Sequence, residues 1–180
     1  LPRRTSVEDL RQENFADLVR SGQSMMWRAG ELIHLNSCYA PTVDEELIPE
    51  HPIAAFENGH QHQVPLLIGT NSDEASFGKF LFQRQSSRER AALRLLASFD
   101  PQHAPEVVAA YDGAVAREDF AHLLADALFW APSTRIATAH AQGAPTWMYR
   151  FDFASAVLKW LGLGAMHSME LGNVFGDPHS

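Results

Sequence analysis

An unbroken apolar run from Val64 to Ile68 stands near the middle of the chain. Apolar and polar positions do not alternate within it, which is typical of a strand that helices cover on both faces. Pro65 has no backbone N–H to donate to a ladder, so we place it at the beginning of this strand. The turn-forming residues 69–72 should end the strand, and Asp73 and Glu74 should lead into an aromatic-bearing helix.

Helical spacing of apolar positions predicts most of the other elements. Capping-box patterns at residues 5–8 and 86–89 should each start a helix, and residues 21–22 should end the first one. The further expected elements are a turn-rich connection over residues 44–49, short helices from Pro52 and over 106–111, a long helix over 120–142 that Pro132 kinks or divides, and a strand over 146–153. Helices beside buried strands indicate an α/β fold with a mainly parallel sheet, and we see no internal boundary within residues 1–180.

Composition narrows the class of protein. An apolar fraction of 46% over 180 residues is enough for a packed core. A net charge of -8 argues against a phosphate-binding surface, so we expect no nucleic-acid partner. No apolar run approaches the roughly 18 to 20 residues that span a bilayer. The single cysteine, Cys38, leaves no internal disulfide and fits a soluble protein of a reducing compartment.

Two acids, Asp73 and Glu74, follow the predicted strand directly. Open α/β sheets gather their chemistry just beyond the carboxyl ends of their strands, which would make these acids part of a site. Acids at the start of a helix also complement the helix dipole without any further role. The residues alone leave both interpretations open.

Two segments carry a resemblance to a known family. IGTNSDEASF, residues 68–77, resembles the acid-bearing segment (I/V)GxNxDEG(T/S)xF of the type B carboxylesterases and cholinesterases, and residues 164–176 resemble their histidine-bearing segment GxxHGxELxYVFG. Weaker matches occur in family order at residues 42–44, 48–49, 125–132 and 145–151. The resemblance covers nearly the whole chain from about Tyr39 onward.

The resemblance implies the C-terminal portion of an α/β-hydrolase that cleaves small-molecule carboxylic esters with a Ser-Glu-His triad. It assigns Glu74 as the orienting acid, with Asp73 as the second choice, and His167 as the general base; no metal or organic cofactor is implied. Three residues depart from the family pattern without removing a reacting group. Ala75, Ser168 and Glu45 each stand where the family commonly has glycine.

The triad serine is not assigned to any residue of the chain. Only Gly22-Gln23-Ser24-Met25-Met26 comes near the G-x-S-x-G elbow, but it lacks the second glycine and follows a predicted helix where the elbow needs a strand. Because the chain starts with Leu1, we interpret it as a piece of a longer protein whose upstream part supplies the serine and the oxyanion hole. That upstream part is the expected partner, and a homodimer through exposed strand edges is a further possibility.

Two other interpretations stay open. The chain could be a non-catalytic hydrolase-fold binding module, although such modules often lose triad members, or an inactive truncated fragment. Among the other histidines, His60 and His62 lie in a polar loop where solvation is more common than metal binding. His122 and His140 should be surface or core imidazoles on a helix.

Overall fold

The computed structural model describes residues 6–26 and 41–176. The chain divides into two compact units, Leu1–Thr42 and Val43–Ser180. The first unit contains helices α1 (Val7–Arg11) and α2 (Phe15–Met26). The Ser6 hydroxyl accepts the N–H of Asp9 at 3.1 Å, and the Asp9 carboxylate accepts the N–H of Ser6, so the capping box lies one residue later than predicted. The single helix expected here is two helices, and the second continues past residues 21–22.

The second unit consists of helices and two strands, with a series of helices between the strands. Its elements in order are α3 (Pro52–Glu57), β1 (Leu66–Asn71), α4 (Gly78–Leu81), α5 (Gln85–Ala97), α6 (Ala104–Ala110), a 3-10 turn (Asp112–Ala114), α7 (Arg117–Ala125), a π-helical segment (Asp126–Trp130), α8 (Ala131–His140), β2 (Thr146–Phe151), α9 (Ala156–Trp160) and α10 (Leu171–Phe175). None of the described helices is long and apolar enough to cross a membrane.

Strands β1 and β2 are parallel and in register, with Leu66 opposite Thr146 and Asn71 opposite Phe151. The parallel sheet is therefore confirmed, but the predicted end of β1 at Gly69 is wrong. The partner strand gives residues 69–71 ladder hydrogen bonds, and this tertiary pairing overrides their turn propensity. Burial on both faces is also wrong for the start of the strand, since Leu67 is 65% exposed; Thr70 and Asn71 at its carboxyl end are buried.

Gly69 and Tyr149 form an opposed pair in the middle of this ladder. The Tyr149 ring lies so close over Gly69 that a Cβ there would meet the ring carbons at 2.2–2.4 Å. Normal carbon–carbon contacts are about 3.5–4.0 Å, so only glycine allows this ring position.

Helices α5, α6 and α7 enclose the apolar core. Phe120 and Leu123 are its largest fully buried side chains, and the Phe82 ring packs edge-on against Phe120 with centroids 5.4 Å apart. Arg88 is buried beside them and donates to the carbonyl oxygens of Phe82, Gln83 and Val115.

The capping box predicted at residues 86–89 is wrong. Helix α5 begins at Gln85, its N-cap Arg84 makes no side-chain cap hydrogen bond, and the Gln85 amide donates to Glu89 instead. Because the helix begins at Gln85, residues 86–87 lie inside its first turn and not at the N-cap position, from which a hydroxyl could accept an N–H of that turn.

Pro132 divides the long helix as predicted, but through a widened turn rather than a break. Residues 126–130 are π-helical, and the N–H of Ala131 donates to the carbonyl of Asp126, five residues back. Proline cannot donate to the carbonyl four residues before it and collides with that carbonyl in a regular α-helix. The wider π turn just before Pro132 relieves this conflict and keeps α7 and α8 continuous.

Candidate active site

The turn after β1 brings Glu74 into contact with His167. The Glu74 carboxylate accepts the backbone N–H of Asn71 at 2.8 Å through one oxygen and lies 2.7 Å from Nδ1 of His167 through the other. A carboxylate can only accept, so Nδ1 of His167 donates this bond, and in the neutral imidazole Nε2 then carries the free lone pair. The structure thus brings together the predicted acid and the predicted base, which are 93 residues apart in the chain.

Exposure differs sharply between the two partners. The Glu74 side chain is 8% exposed, whereas that of His167 is 54% exposed. Among the described residues, Nε2 of His167 has no hydrogen-bonding partner. A buried acid that holds an accessible imidazole in one tautomer is the arrangement a general base requires.

Asn71 and Glu170 also hold this arrangement, and the sequence reasoning missed both. The Asn71 amide donates to the carbonyl of Met166 at 2.8 Å and to the carboxylate of Glu170 at 2.6 Å. Asn71 therefore fixes Glu74 through its backbone, and through its side chain it fixes residues 161–170, the loop that carries His167 and is called the histidine loop below. Both residues belong to the two motif segments, and their presence there was the available signal.

Asp73 points to a different part of the histidine loop. Its carboxylate accepts the N–H of Ala165 at 3.0 Å and the Ser72 hydroxyl at 2.7 Å, while its own N–H donates to the carbonyl of Ala165 at 3.2 Å. Of the two neighbouring acids, Glu74 is the one hydrogen-bonded to the imidazole.

The π-helical segment forms the other side of the histidine. The Phe129 ring lies 5.0 Å from the His167 ring, centroid to centroid, at an angle of 45°. At the start of the segment, the Asp126 carboxylate accepts the Tyr111 hydroxyl at 2.5 Å. Burial, followed by this hydrogen bond and the negative charge of Asp126, raises the pKa of Tyr111 to about 12. The widened turn thus positions an aromatic wall and a fixed carboxylate near the site.

A cavity of about 230 Å³ adjoins the acid. Its walls are Thr70, Asn71, Ser72, Glu74, Ala125, Asp126, Trp130 and Arg150. Most of these side chains are polar, so the surroundings of Glu74 away from the imidazole suit solvent or a polar chain segment.

Comparison with known proteins decides the family. A profile of the Carboxylesterase family matches residues 2–180. The chain belongs to the carboxylesterase family. The family predicted from the motif segments is therefore confirmed.

Individual carboxylesterases give the extent of the match. The para-nitrobenzyl esterase of Bacillus subtilis (strain 168) is 34% identical over 142 residues, covering 77% of this chain and 28% of that protein. The pyrethroid hydrolase Ces2a of Mus musculus is 26% identical over 169 residues, covering 82% of this chain and 30% of that protein. A solved PNB esterase structure superposes with a TM-score of 0.72 at 28% identity, over 95% of this chain and 36% of that one. The chain thus spans about a third of the length of these carboxylesterases, and its fold is a partial α/β-hydrolase fold, as predicted.

The departures from the carboxylesterase pattern have different structural consequences. Ser168 and Glu45 adopt positive φ angles of 68° and 64°, so both positions demand the conformation that glycine adopts without strain. A non-glycine residue in this conformation costs roughly 1–2 kcal/mol. Ala75 does not have a positive φ and is fully buried, so its methyl group is accommodated without backbone strain.

The remaining candidates do not form a second site. Ser24 lies inside α2, where its hydroxyl donates to the carbonyl of Ser21 at 2.8 Å, so the strand context of a nucleophile elbow is missing there. His60 pairs with Glu50 on an exposed loop. His140 is buried and its Nε2 lies 2.7 Å from the carbonyl of Val64, which agrees with a core imidazole. Within residues 6–26 and 41–176, no three metal-ligating side chains cluster.

Proposed function

We propose that the complete protein hydrolyses carboxylic esters with a Ser-Glu-His triad, in which this chain supplies Glu74 as the orienting acid and His167 as the general base. The observation that carries the proposal is the 2.7 Å contact between Glu74 and Nδ1 of His167, with Nε2 accessible. The names of the relatives, a para-nitrobenzyl esterase among them, support esters as the substrate class.

The reaction follows from the protonation states of this pair. Nε2 of His167 accepts the proton of the serine hydroxyl as the serine oxygen attacks the ester carbonyl, and Glu74 stabilises the resulting imidazolium. The imidazolium then gives this proton to the departing alkoxide, which leaves an acyl-serine and an alcohol. Water repeats the sequence on the acyl-serine and releases the carboxylic acid.

The serine and the oxyanion-hole donors come, on this proposal, from the part of the carboxylesterase upstream of Leu1. The exposed apolar side chains of the sheet support such a partner. Leu67 and Trp147 lie opposite each other in the ladder and are 65% and 57% exposed, whereas strands of parallel sheets are usually covered on both faces.

The test compares Glu74→Gln with Asp73→Asn in the complete carboxylesterase. Glutamine retains the bond from the Asn71 N–H but presents an NH₂ group to Nδ1, which forces the proton onto Nε2 and removes the basic lone pair. We expect kcat for p-nitrophenyl acetate to fall by about 10⁴-fold in Glu74→Gln. Asp73→Asn should retain most of the activity.

A fluorophosphonate separates the proposal from its alternatives. Intact mass should show one adduct on the complete protein and none on the 180-residue chain, because the reagent needs an activated serine. An adduct on the short chain would place the nucleophile within these residues and contradict the upstream assignment. A complete protein that is neither labelled nor active would instead be a non-catalytic module of the hydrolase fold.

A further inference from the structure

Asp73 and Ala165 form a two-bond bridge between the turn after β1 and the loop that precedes His167. The Ala165 N–H donates to the Asp73 carboxylate at 3.0 Å, and the Asp73 N–H donates to the Ala165 carbonyl at 3.2 Å. Ala165 is fully buried and lies two residues before the candidate base. The bridge therefore fixes the backbone from which the imidazole projects.

Gly164 makes the close approach of this bridge possible. A Cβ on Gly164 would lie 2.3 Å from the nearer oxygen of Asp73, and its φ of +61° is one that side chains rarely adopt. The neighbouring Gly162 has a similar φ of +69°, but a Cβ there would meet nothing within 4 Å. Both positions thus favour glycine because of their positive φ, but only at Gly164 would a Cβ also collide with the Asp73 carboxylate.

The same oxygen of Asp73 that accepts from Ala165 also accepts the Ser72 hydroxyl at 2.7 Å. Glu74, the next residue, contacts the imidazole itself. Adjacent acids thus divide two tasks: one holds the ring, and the other holds the backbone of the loop that carries the ring.

We infer that Asp73 is a positioning residue for ester hydrolysis, which sets the place of His167 relative to Glu74 by hydrogen bonding to Ala165. The inference rests on the function proposed above. It requires an acceptor at position 73 rather than a negative charge, because the partners there are a backbone N–H and a hydroxyl.

The experiment measures kcat and KM in the complete carboxylesterase, with active sites counted by fluorophosphonate titration. Asp73→Ala should lower kcat by roughly 10- to 100-fold with little change in KM, because a displacement of about 1 Å at a catalytic group costs on the order of 10²-fold. Asp73→Asn should restore most of the rate, since its amide oxygen can accept from Ala165. In NMR spectra, the low-field Nδ1–H signal of His167 should broaden in Asp73→Ala and persist in Asp73→Asn.

Gly164→Ala approaches the same bridge from its other side, with Gly162→Ala as the matched control. Gly164→Ala should lower kcat much more than Gly162→Ala, and it should lower kcat less in an Asp73→Ala background than in the wild type, because the collision is then gone. Equal effects of the two glycine substitutions would overturn the inference.

Two further outcomes separate this inference from the proposed function. If Asp73→Ala lowers the melting temperature but leaves kcat per titrated serine unchanged, Asp73 is only structural and the inference fails, while a large loss in Glu74→Gln still supports the triad. If Asp73→Asn loses as much activity as Glu74→Gln, the charge of Asp73 is what matters, and both the inference and the assignment of the triad acid are overturned.

Discussion

The contact between Gly69 and the Tyr149 ring predicts that Gly69→Ala destabilises the protein. Removing the ring should reverse the sign of this effect. In Gly69→Ala, the new methyl group would lie 2.2 Å from the Tyr149 ring, so the ring must move by more than an ångström. Overpacking of this kind costs roughly 1–3 kcal/mol. Replacing a glycine within a strand by alanine raises the free energy of unfolding by about 0.5–1 kcal/mol, because alanine has less conformational freedom than glycine in the unfolded chain. We therefore expect Gly69→Ala to lower the free energy of unfolding by about 1–2 kcal/mol.

Removal of the ring isolates the two contributions. In a Tyr149→Ala background the collision is absent, and Gly69→Ala should become stabilising by about 0.5–1 kcal/mol. Tyr149→Phe is the matched control, because it keeps the ring and should keep the substitution destabilising. Urea denaturation gives each value from the midpoint at constant m. A Gly69→Ala variant as stable as the wild type would refute the argument that glycine is required by the ring.

Two other properties can be tested on the described residues. Arg88→Met should cost about 1–3 kcal/mol in urea denaturation, because it removes the buried guanidinium that donates to three carbonyl groups. Arg90→Met, at an exposed position of the same helix, should stay within about 0.5 kcal/mol of the wild type. Tyr111 should ionise near pH 12, and Tyr111→Phe should remove that component from a tyrosinate absorbance titration. Because the folded-state pKa of Tyr111 is raised, its contribution to stability should be complete below pH 10 and lost as the pH rises towards 12; a phenol that titrates near 10 would contradict this.

Periodicity and turn chemistry predicted both strands and most helices of the second unit, but not α9, α10 or all of the ends. The apolar run before Gly69 identified β1, yet the strand continues to Asn71 because its ladder partner β2 lies far away in the sequence. Pro132 predicted a kink or a division of the long helix, because proline lacks a backbone N–H. Whether that disturbance is a break or a π turn depends on packing that a local pattern does not contain.

The candidate site was only partly predictable. Glu74 and His167 could be named because each lies in a motif segment, and the structure brings them into contact. The links of Asn71 to Met166 and Glu170 could not be predicted, since they join side chain to backbone and side chain to side chain across 95 and 99 residues. The bond of Asp73 to Ala165 could not be predicted either, since it joins a side chain to backbone across 92 residues.

The sequence separation of these links has a consequence for folding kinetics. The hydrogen bonds of Asn71, Asp73 and Glu74 to the histidine loop close loops of 92 to 99 residues, whereas the intervening helices form from local contacts. Closing long loops is slow, because chain entropy is lost before the contact is gained. We therefore expect the acid and the base to meet only after the helices between them have packed, so that a refolding chain regains its helix content before the competent geometry of His167.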